Sequence, residues 1–211
     1  IDLRKVDMTA AVMPRSVDKL DSSLKEIIVR HAAWVKSNGR EGARAELSEM
    51  DLLGVDLDGA NPSAADFSYS TMRGARLSKC EFLMVDLSYT DLRGAQLTRS
   101  DLRGVNLKRT KLTDANLVGA IMSQVNVSTR AGSGEWRASL EHAQLICAQL
   151  NGADMRNTDL EGADFRDADL RDVNFSGSLL IDCDFTGADL RGARMNNTDK
   201  RGAKGLPPTD Y

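Results

Sequence analysis

The sequence predicts an all-β solenoid, a chain wound in short strands around a filled axis, with one α-helix near its start. Three observations carry this. Over most of the 211 residues, every fifth residue is large and apolar. The residue two places before it is almost always small. Glycines such as Gly54, Gly74, Gly94, Gly104 and Gly192 fall between them, where a tight turn is needed.

One apolar column runs from Leu47 to Val127 and only Pro62 breaks it. A second runs from Leu140 to Lys200, and only Lys200 breaks it. The whole chain is 41% hydrophobic, so columns this pure are a designed repeat. Ala45, Ala65, Ala95, Ala115, Ala163 and Ala188 occupy the small slot, with Ser70, Cys80 and Cys183 as variants and Met50 as the bulky exception. A period of five fits neither a helix at 3.6 nor a strand at 2. Two inward side chains per five residues, one large and one small, do fit. The large one fills the axis, the small one lets the wall approach, and the chain turns a corner after each.

The residue between the two is often Asp or Asn, as in Ala153-Asp154-Met155, Ala163-Asp164-Phe165 and Ala188-Asp189-Leu190. This pattern resembles the pentapeptide-repeat family, whose motif is A-(D/N)-L-x-x, and it covers about three-quarters of the chain. The resemblance implies a right-handed quadrilateral β-helix, with four pentapeptides and about 20 residues per coil. At about 4.8 Å per coil, roughly thirty repeats give a rod of roughly 36 Å. Backbone groups then pair with the coils above and below, leaving open edges only at the two ends.

The elements follow in order. Residues 1–15 hold Ile1-Asp2-Leu3, Val6-Asp7-Met8 and Ala11-Val12-Met13, again five apart, and form a pentapeptide-like N-terminal segment. Residues 16–42 are a helix and lead-in. Leu20, Leu24, Ile27, Ile28, His31 and Val35 share one apolar face, Ser16 or Asp21 caps the start and Gly39 the end. The helix either caps one stack or interrupts two. Its continuation through Trp34, Gly39 and Gly42 to Ala45-Glu46-Leu47 resembles a lead-in of bacterial pentapeptide-repeat proteins. Residues 43–127 are a first β-helix stack. Residues 128–137, STRAGSGEWR, are an inserted loop, because the two columns are 13 residues apart rather than a multiple of five. Residues 138–203 are a second stack, out of phase with the first. Lys200 cannot fill an axis, so regular coils end there, and residues 204–211 are a tail.

Composition excludes several function classes. A net charge of −3 argues against direct nucleic-acid binding through phosphate neutralisation. No run of about 18 apolar residues provides a membrane span, and nothing in the sequence, which starts at Ile1 rather than Met, resembles a secretory signal. Three Cys without metal-like spacing point to a reducing, cytoplasmic setting. A core filled with Leu, Phe and Ala leaves no pocket for catalysis. No phosphate-binding loop or dinucleotide motif occurs. His31 is expected to pack or cap, while His142 and Cys147 fall in outward slots without a second ligand in register. The expectation is therefore not an enzyme: no catalytic residue, no cofactor, no metal.

What remains is the outer surface and a protein partner. Tyr69 is expected over Tyr89, beside a column of Ser48, Ser68 and Ser88. Leu83 and Met84 fall in outward slots, so the patch reads either as an interface or as ladder stabilisation. Trp136 and Arg137, in or beside the inserted loop, form either a binding hot spot or a fold-back onto the wall.

In the second stack Asp164 is expected on Asp184, and Asp169 on Asp189. Residues 138–200 carry 12 acidic and 6 basic side chains over roughly 16 Å, while the first stack is nearly neutral. That is one net charge per roughly 2.6 Å, against about 1.7 Å for duplex DNA. Arg171 and Arg191 flank these columns and blunt them. The leading expectation is a non-catalytic interaction or scaffolding module. The alternative, implied by gyrase-binding members of the family it resembles, is a DNA-mimicking regulator of a type II topoisomerase. An open end coil offers an edge for a homo-oligomer.

Overall fold

A computed structural model describes residues 22–129 and 132–207. The expected N-terminal repeats at 1–15, the helix caps at Ser16 and Asp21, and the tail beyond 207 lie outside the described residues. The elements are α1 (Ser22–Lys36), β1 (Val125–Thr129) and β2 (Gly132–Trp136). The rest is a column of single parallel bridges between residues 20 apart, or 33 apart where they span the hairpin.

These bridges form four ladders, one per five-residue segment of a coil. The first runs Glu46, Asp66, Asp86, Asn106, Ser139, Asp159, Leu179 and Asp199. The second runs from Asp51 to Lys204, the third from Asp56 to Asp189 and the fourth from Glu81 to Arg194.

The segment Asp86 to Thr90 explains the repeat. Asp86 N–H donates back to Ala65 O at 3.1 Å, and Leu87 N–H donates forward to Asn106 O at 2.8 Å. Tyr89 N–H donates to Lys108 O, and Thr90 N–H closes the turn on Leu87 O. The fifth donor, Ser88 N–H, is taken by Asp86 Oδ1 at 2.9 Å. Asp or Asn before the centre is thus a turn cap, and it completes the backbone accounting. In the small slot a hydroxyl or thiol finds a carbonyl one coil back: Thr90 Oγ1 donates to Phe67 O at 2.8 Å and Cys80 Sγ to Leu57 O at 2.9 Å.

The axis is apolar from coil to coil. Phe67, Phe82, Phe165, Phe175 and Phe185 are fully buried, and Phe165 stacks on Phe185 at 5.2 Å. Pro62, the one exception in the first column, lacks a donor for Glu81 O. Ser63 Oγ supplies that donor instead, at 3.0 Å.

The phase shift does not divide the rod. Asn106 bridges Ser139 and Ile121 bridges Asp154, so each ladder continues across the insertion. There is one continuous column rather than two. The chain leaves the fourth ladder after Met122, forms the β1–β2 hairpin and returns at Ala138 in register. The insertion therefore starts earlier than 128, and Val127, expected to fill the axis, pairs with Gly134 in the hairpin.

α1 packs on the N-terminal end of the described coils. Leu24 and Ile28 are buried in the same core as Leu47 and Leu52. Gly39 N–H closes the helix on Trp34 O at 2.7 Å. Gly42 is pressed so close that an added Cβ would sit 2.1 Å from Arg30 O. At the other end the ladder passes Lys200 and stops at Lys204, and Leu206 folds onto the core. Leu190 and Met195 there are only partly buried.

Candidate interaction surfaces

The fourth ladder carries a shoulder built by α1 and the hairpin. Leu83 and Met84 do point outward from the coil, but they are not an exposed patch. Leu83 is buried with Val35 and Val125, and Trp34 and Met84 pack against them. The outward apolar slot is covered because α1 and β1 both lie over it. Trp136 folds back as well: its Nε1 donates to Gly104 O at 3.0 Å. A Cβ on Gly104 would come within 2.9 Å of Val125 and 3.0 Å of Trp136. Trp136 still keeps 45% of its surface exposed, and Arg137 beside it is exposed.

Tyr69 and Tyr89 stack as expected, with ring centroids 4.7 Å apart and planes within 4°. Both are exposed corner residues with left-handed backbones, φ 59° each. Ser48 and Ser68 beside them are solvent-accessible, and Ser88 is buried.

The expected acidic columns exist, since Asp164 bridges Asp184 and Asp169 bridges Asp189. Their charge is largely cancelled locally. Asp164 is paired with Arg166, Asp169 with Arg171 and Asp189 with Arg191. Arg171 also reaches Asp189 across the coils at 3.8 Å. The Arg191 guanidinium holds the Asp189 carboxyl down at about 2, and Arg171 lowers Asp169 similarly. Asp184 lacks such an arginine and caps Thr186 N–H at 2.9 Å.

The same Asp-x-Arg pairing recurs at Asp91/Arg93, Asp101/Arg103, Asp154/Arg156 and Asp199/Arg201. Only the last lies on the first ladder. Before its centres that ladder carries Glu46, Asp66, Asp86, Asp159 and Asp199; after them it carries Glu49, Glu141, Glu161 and Asp182. Its bases are Lys108, Arg109, Lys200 and Arg201, so nine acids face four bases. The other ladders carry six acids to five bases, five to five and three to three. Thus most of the excess negative charge sits on one face, with four acids to two bases before the hairpin and five to two after it. Partial burial, with Glu141 nearby, raises the Asp159 carboxyl above its ordinary range. Lys108 pairs with Glu141 at 2.7 Å and lowers it. This asymmetry was readable by sorting residues into columns of twenty, but only with the register jump at the hairpin known.

Two shallow open hollows lie at the rod ends. One of about 340 Å³ is lined by Glu26, Ile27, Arg30, Ala43, Arg44 and Glu46. The other, of about 430 Å³, lies against Leu190, Arg191 and Leu206. Among the described residues no His, Cys, Asp and Glu cluster could hold a metal ion, and no helix is long and apolar enough to cross a membrane. Burial pushes the Cys80 and Cys183 thiols up to about 12 and His31 down to about 4. His142 and Cys147 are exposed.

The profile of a family described as "Pentapeptide repeats (8 copies)" matches the chain four times, over residues 45–82, 90–128, 137–172 and 168–203. No curated protein matches the chain. Among solved structures, the chain is similar to a pentapeptide repeat protein of the Arabidopsis thaliana thylakoid lumen. That match is 28% identical over 60% of this chain and 72% of that one, with a TM-score of 0.35. It is also similar to QnrB1, a plasmid-mediated fluoroquinolone resistance protein (22% identity, 74% and 86% covered, TM-score 0.35). A third is HetL of the cyanobacterium Nostoc, involved in heterocyst differentiation regulation (26% identity, 83% and 92% covered, TM-score 0.21).

Proposed function

The chain belongs to the pentapeptide-repeat family, and on that premise we propose that it is a non-catalytic protein-interaction or scaffolding module. Its right-handed quadrilateral β-helix would hold fixed ladders of side chains for a protein partner. The carrying observation is the filled interior. Large centres such as Leu87, Phe165 and Leu170 are completely buried, and small-slot hydroxyls and thiols are bonded to carbonyls. Chemistry is thereby left to the outer ladders and the shoulder. Trp136, Arg137, Tyr69 and Tyr89 are the accessible candidates, while Leu83 and Met84 serve the shoulder from within. Thiols held inside the core at Cys80 and Cys183 suit a reducing, cytoplasmic setting. The test is affinity capture on the immobilised full chain, with the Trp136→Ala and Tyr69→Ala/Tyr89→Ala variants as competitors. Specific retention that a surface variant abolishes supports the reading; small-molecule turnover with no retained protein would sink it.

A second reading, a DNA-mimicking regulator of a type II topoisomerase such as gyrase, is favoured by the stacked Asp164–Asp184 and Asp169–Asp189 columns. The Arg166, Arg171 and Arg191 pairs weigh against it. A supercoiling assay unaffected by micromolar protein would reject it. The open C-terminal coil around Leu190 and Met195 also suits self-association, which light scattering on the purified chain measures.

A further inference from the structure

We propose that the first ladder is the docking face, and that its occupant is an extended polypeptide segment bearing a Lys or Arg at about every second position. The inference rests on the interaction-module reading and names its partner's chemistry. Elsewhere on the rod, an Asp before a centre is commonly followed two residues later by an Arg that neutralises it. On the first ladder the position after the centre holds Ser48, Ser68, Ser88, Glu141 or Glu161 in five of eight coils, with Lys108 and Arg201 the basic exceptions, so carboxylates such as Asp66, Asp86 and Asp159 have no ion pair within 4.0 Å among the described residues.

The other ladders offer less. The second and third are balanced in charge, and the fourth is roofed in its N-terminal half by α1 and the hairpin. Only the first ladder joins excess charge to exposed aromatics, the stacked Tyr69 and Tyr89. Cationic side chains bind both features, through ion pairs and over ring faces.

Magnitudes separate a polypeptide from a surface built for duplex DNA. Seven bridge steps from Glu46 to Asp199 span roughly 34 Å at about 4.8 Å each. A net excess of five acids is then one charge per roughly 6.8 Å. Duplex DNA carries one per about 1.7 Å, four times as dense. An extended segment with a cation at alternate positions presents one per about 6.6 Å, close to what the ladder offers. Lys108 is already engaged by Glu141, and Arg109 divides the face into two acidic halves.

The experiment uses the full chain and a fluorescein-labelled ten-residue peptide of alternating Lys and Thr, read by anisotropy at 50 and 200 mM NaCl. Peptide with Glu in place of Lys is the control. Asp66→Asn/Asp86→Asn/Asp159→Asn keeps the turn-capping acceptors on Ser68, Ser88 and Glu161 but removes three charges. It is expected to weaken binding about tenfold or more. Asp114→Asn/Asp167→Asn/Asp172→Asn removes three charges from the second and third ladders and is expected to change it less than about twofold. Tyr69→Ala/Tyr89→Ala is expected to cost a few-fold, about the size of an exposed cation–π contact. Equal losses in the two triple variants, or no binding of the Lys peptide at 50 mM NaCl, would overturn the proposal. If captured partners ignore the Asp66 triple variant while other surface variants release them, the module reading stands and this inference alone fails.

Discussion

The imidazole Nδ1 of His31 accepts the backbone N–H of Ala45 at 3.0 Å, tying α1 to the first residue of the first described coil. His31 is 1% exposed and stacks on Trp34. Burial lowers its pKa from 6.5 to about 4, with the backbone of Pro62 and Ser63 opposing and Arg44 assisting. The folded chain therefore holds His31 neutral, while the unfolded chain protonates it near 6.5. The stability it contributes is complete above that value and is lost as pH falls toward 4. Between pH 7 and 5 the loss is expected to be about 2 kcal/mol, before most carboxylates titrate. Urea unfolding at pH 7, 6 and 5 measures it. His31→Asn should flatten the slope over this range, and an unchanged slope in that variant would refute the assignment.

The repeat was legible in the sequence because Leu47, Leu52, Leu57 and their successors serve one axis and do nothing else. The Asp and Asn preference was visible, but its cause was not, since a carboxylate capping Ser88 N–H is a matter of geometry. The single rod was hidden. A 13-residue offset looks like two stacks in sequence, and only Asn106 bridging Ser139 shows the ladder closing over it. Leu83 and Trp136 eluded the sequence for a related reason. Their partners, Val35 and Gly104, are far along the chain and obey no repeat. Columns of local origin could be read; contacts made by interruptions could not.

Gly104 and Gly54 separate hairpin docking from backbone strain. Both have left-handed backbones, φ +66° and +62°. An added Cβ meets nothing at Gly54, but at Gly104 it meets Val125, Trp136 and Met84. Gly54→Ala is expected to cost about 1–2 kcal/mol from backbone conformation alone. Gly104→Ala should cost more and lift Trp136 off the wall, shifting tryptophan emission to longer wavelength. Equal destabilisation with unchanged emission in both variants would show that the hairpin is not seated there.

Corner residues with side chains are a reserve of stability. Lys79 and Arg99 occupy exposed corners with φ 58° and 57°, where neighbouring coils place Gly59 and Gly119. Left-handed backbone costs a non-glycine residue about 1–2 kcal/mol, partly offset by the chain entropy that glycine loses on folding. Lys79→Gly is expected to stabilise the rod by about 0.5–1 kcal/mol, raising Tm by roughly 1–4 °C. The opposite swap at Gly177, whose Cβ would collide with Asn157 Oδ1 at 2.1 Å, should lower Tm. Calorimetry on both variants checks the signs.

The three thiols should divide by burial rather than by sequence context. Cys80 and Cys183 sit in the small slot, donating to Leu57 O and Leu160 O at 2.9 and 3.0 Å, and burial pushes both up to about 12. Cys147 occupies an exposed corner. Reaction with a thiol-specific disulfide reagent at pH 8 is expected to titrate one group in the folded chain and three in denaturant. Ser occupies the same slot at Ser70 and Ser100, with the same bond to a carbonyl one coil back. Cys80→Ser should therefore cost less than about 1 kcal/mol, since the donor is kept and only a small change in volume remains. Cys80→Leu should disrupt the wall by overpacking, at about 1–3 kcal/mol or more. If Leu were tolerated as well as Ser, the small slot would not set the approach of wall to axis, and the central feature of the repeat would need another explanation.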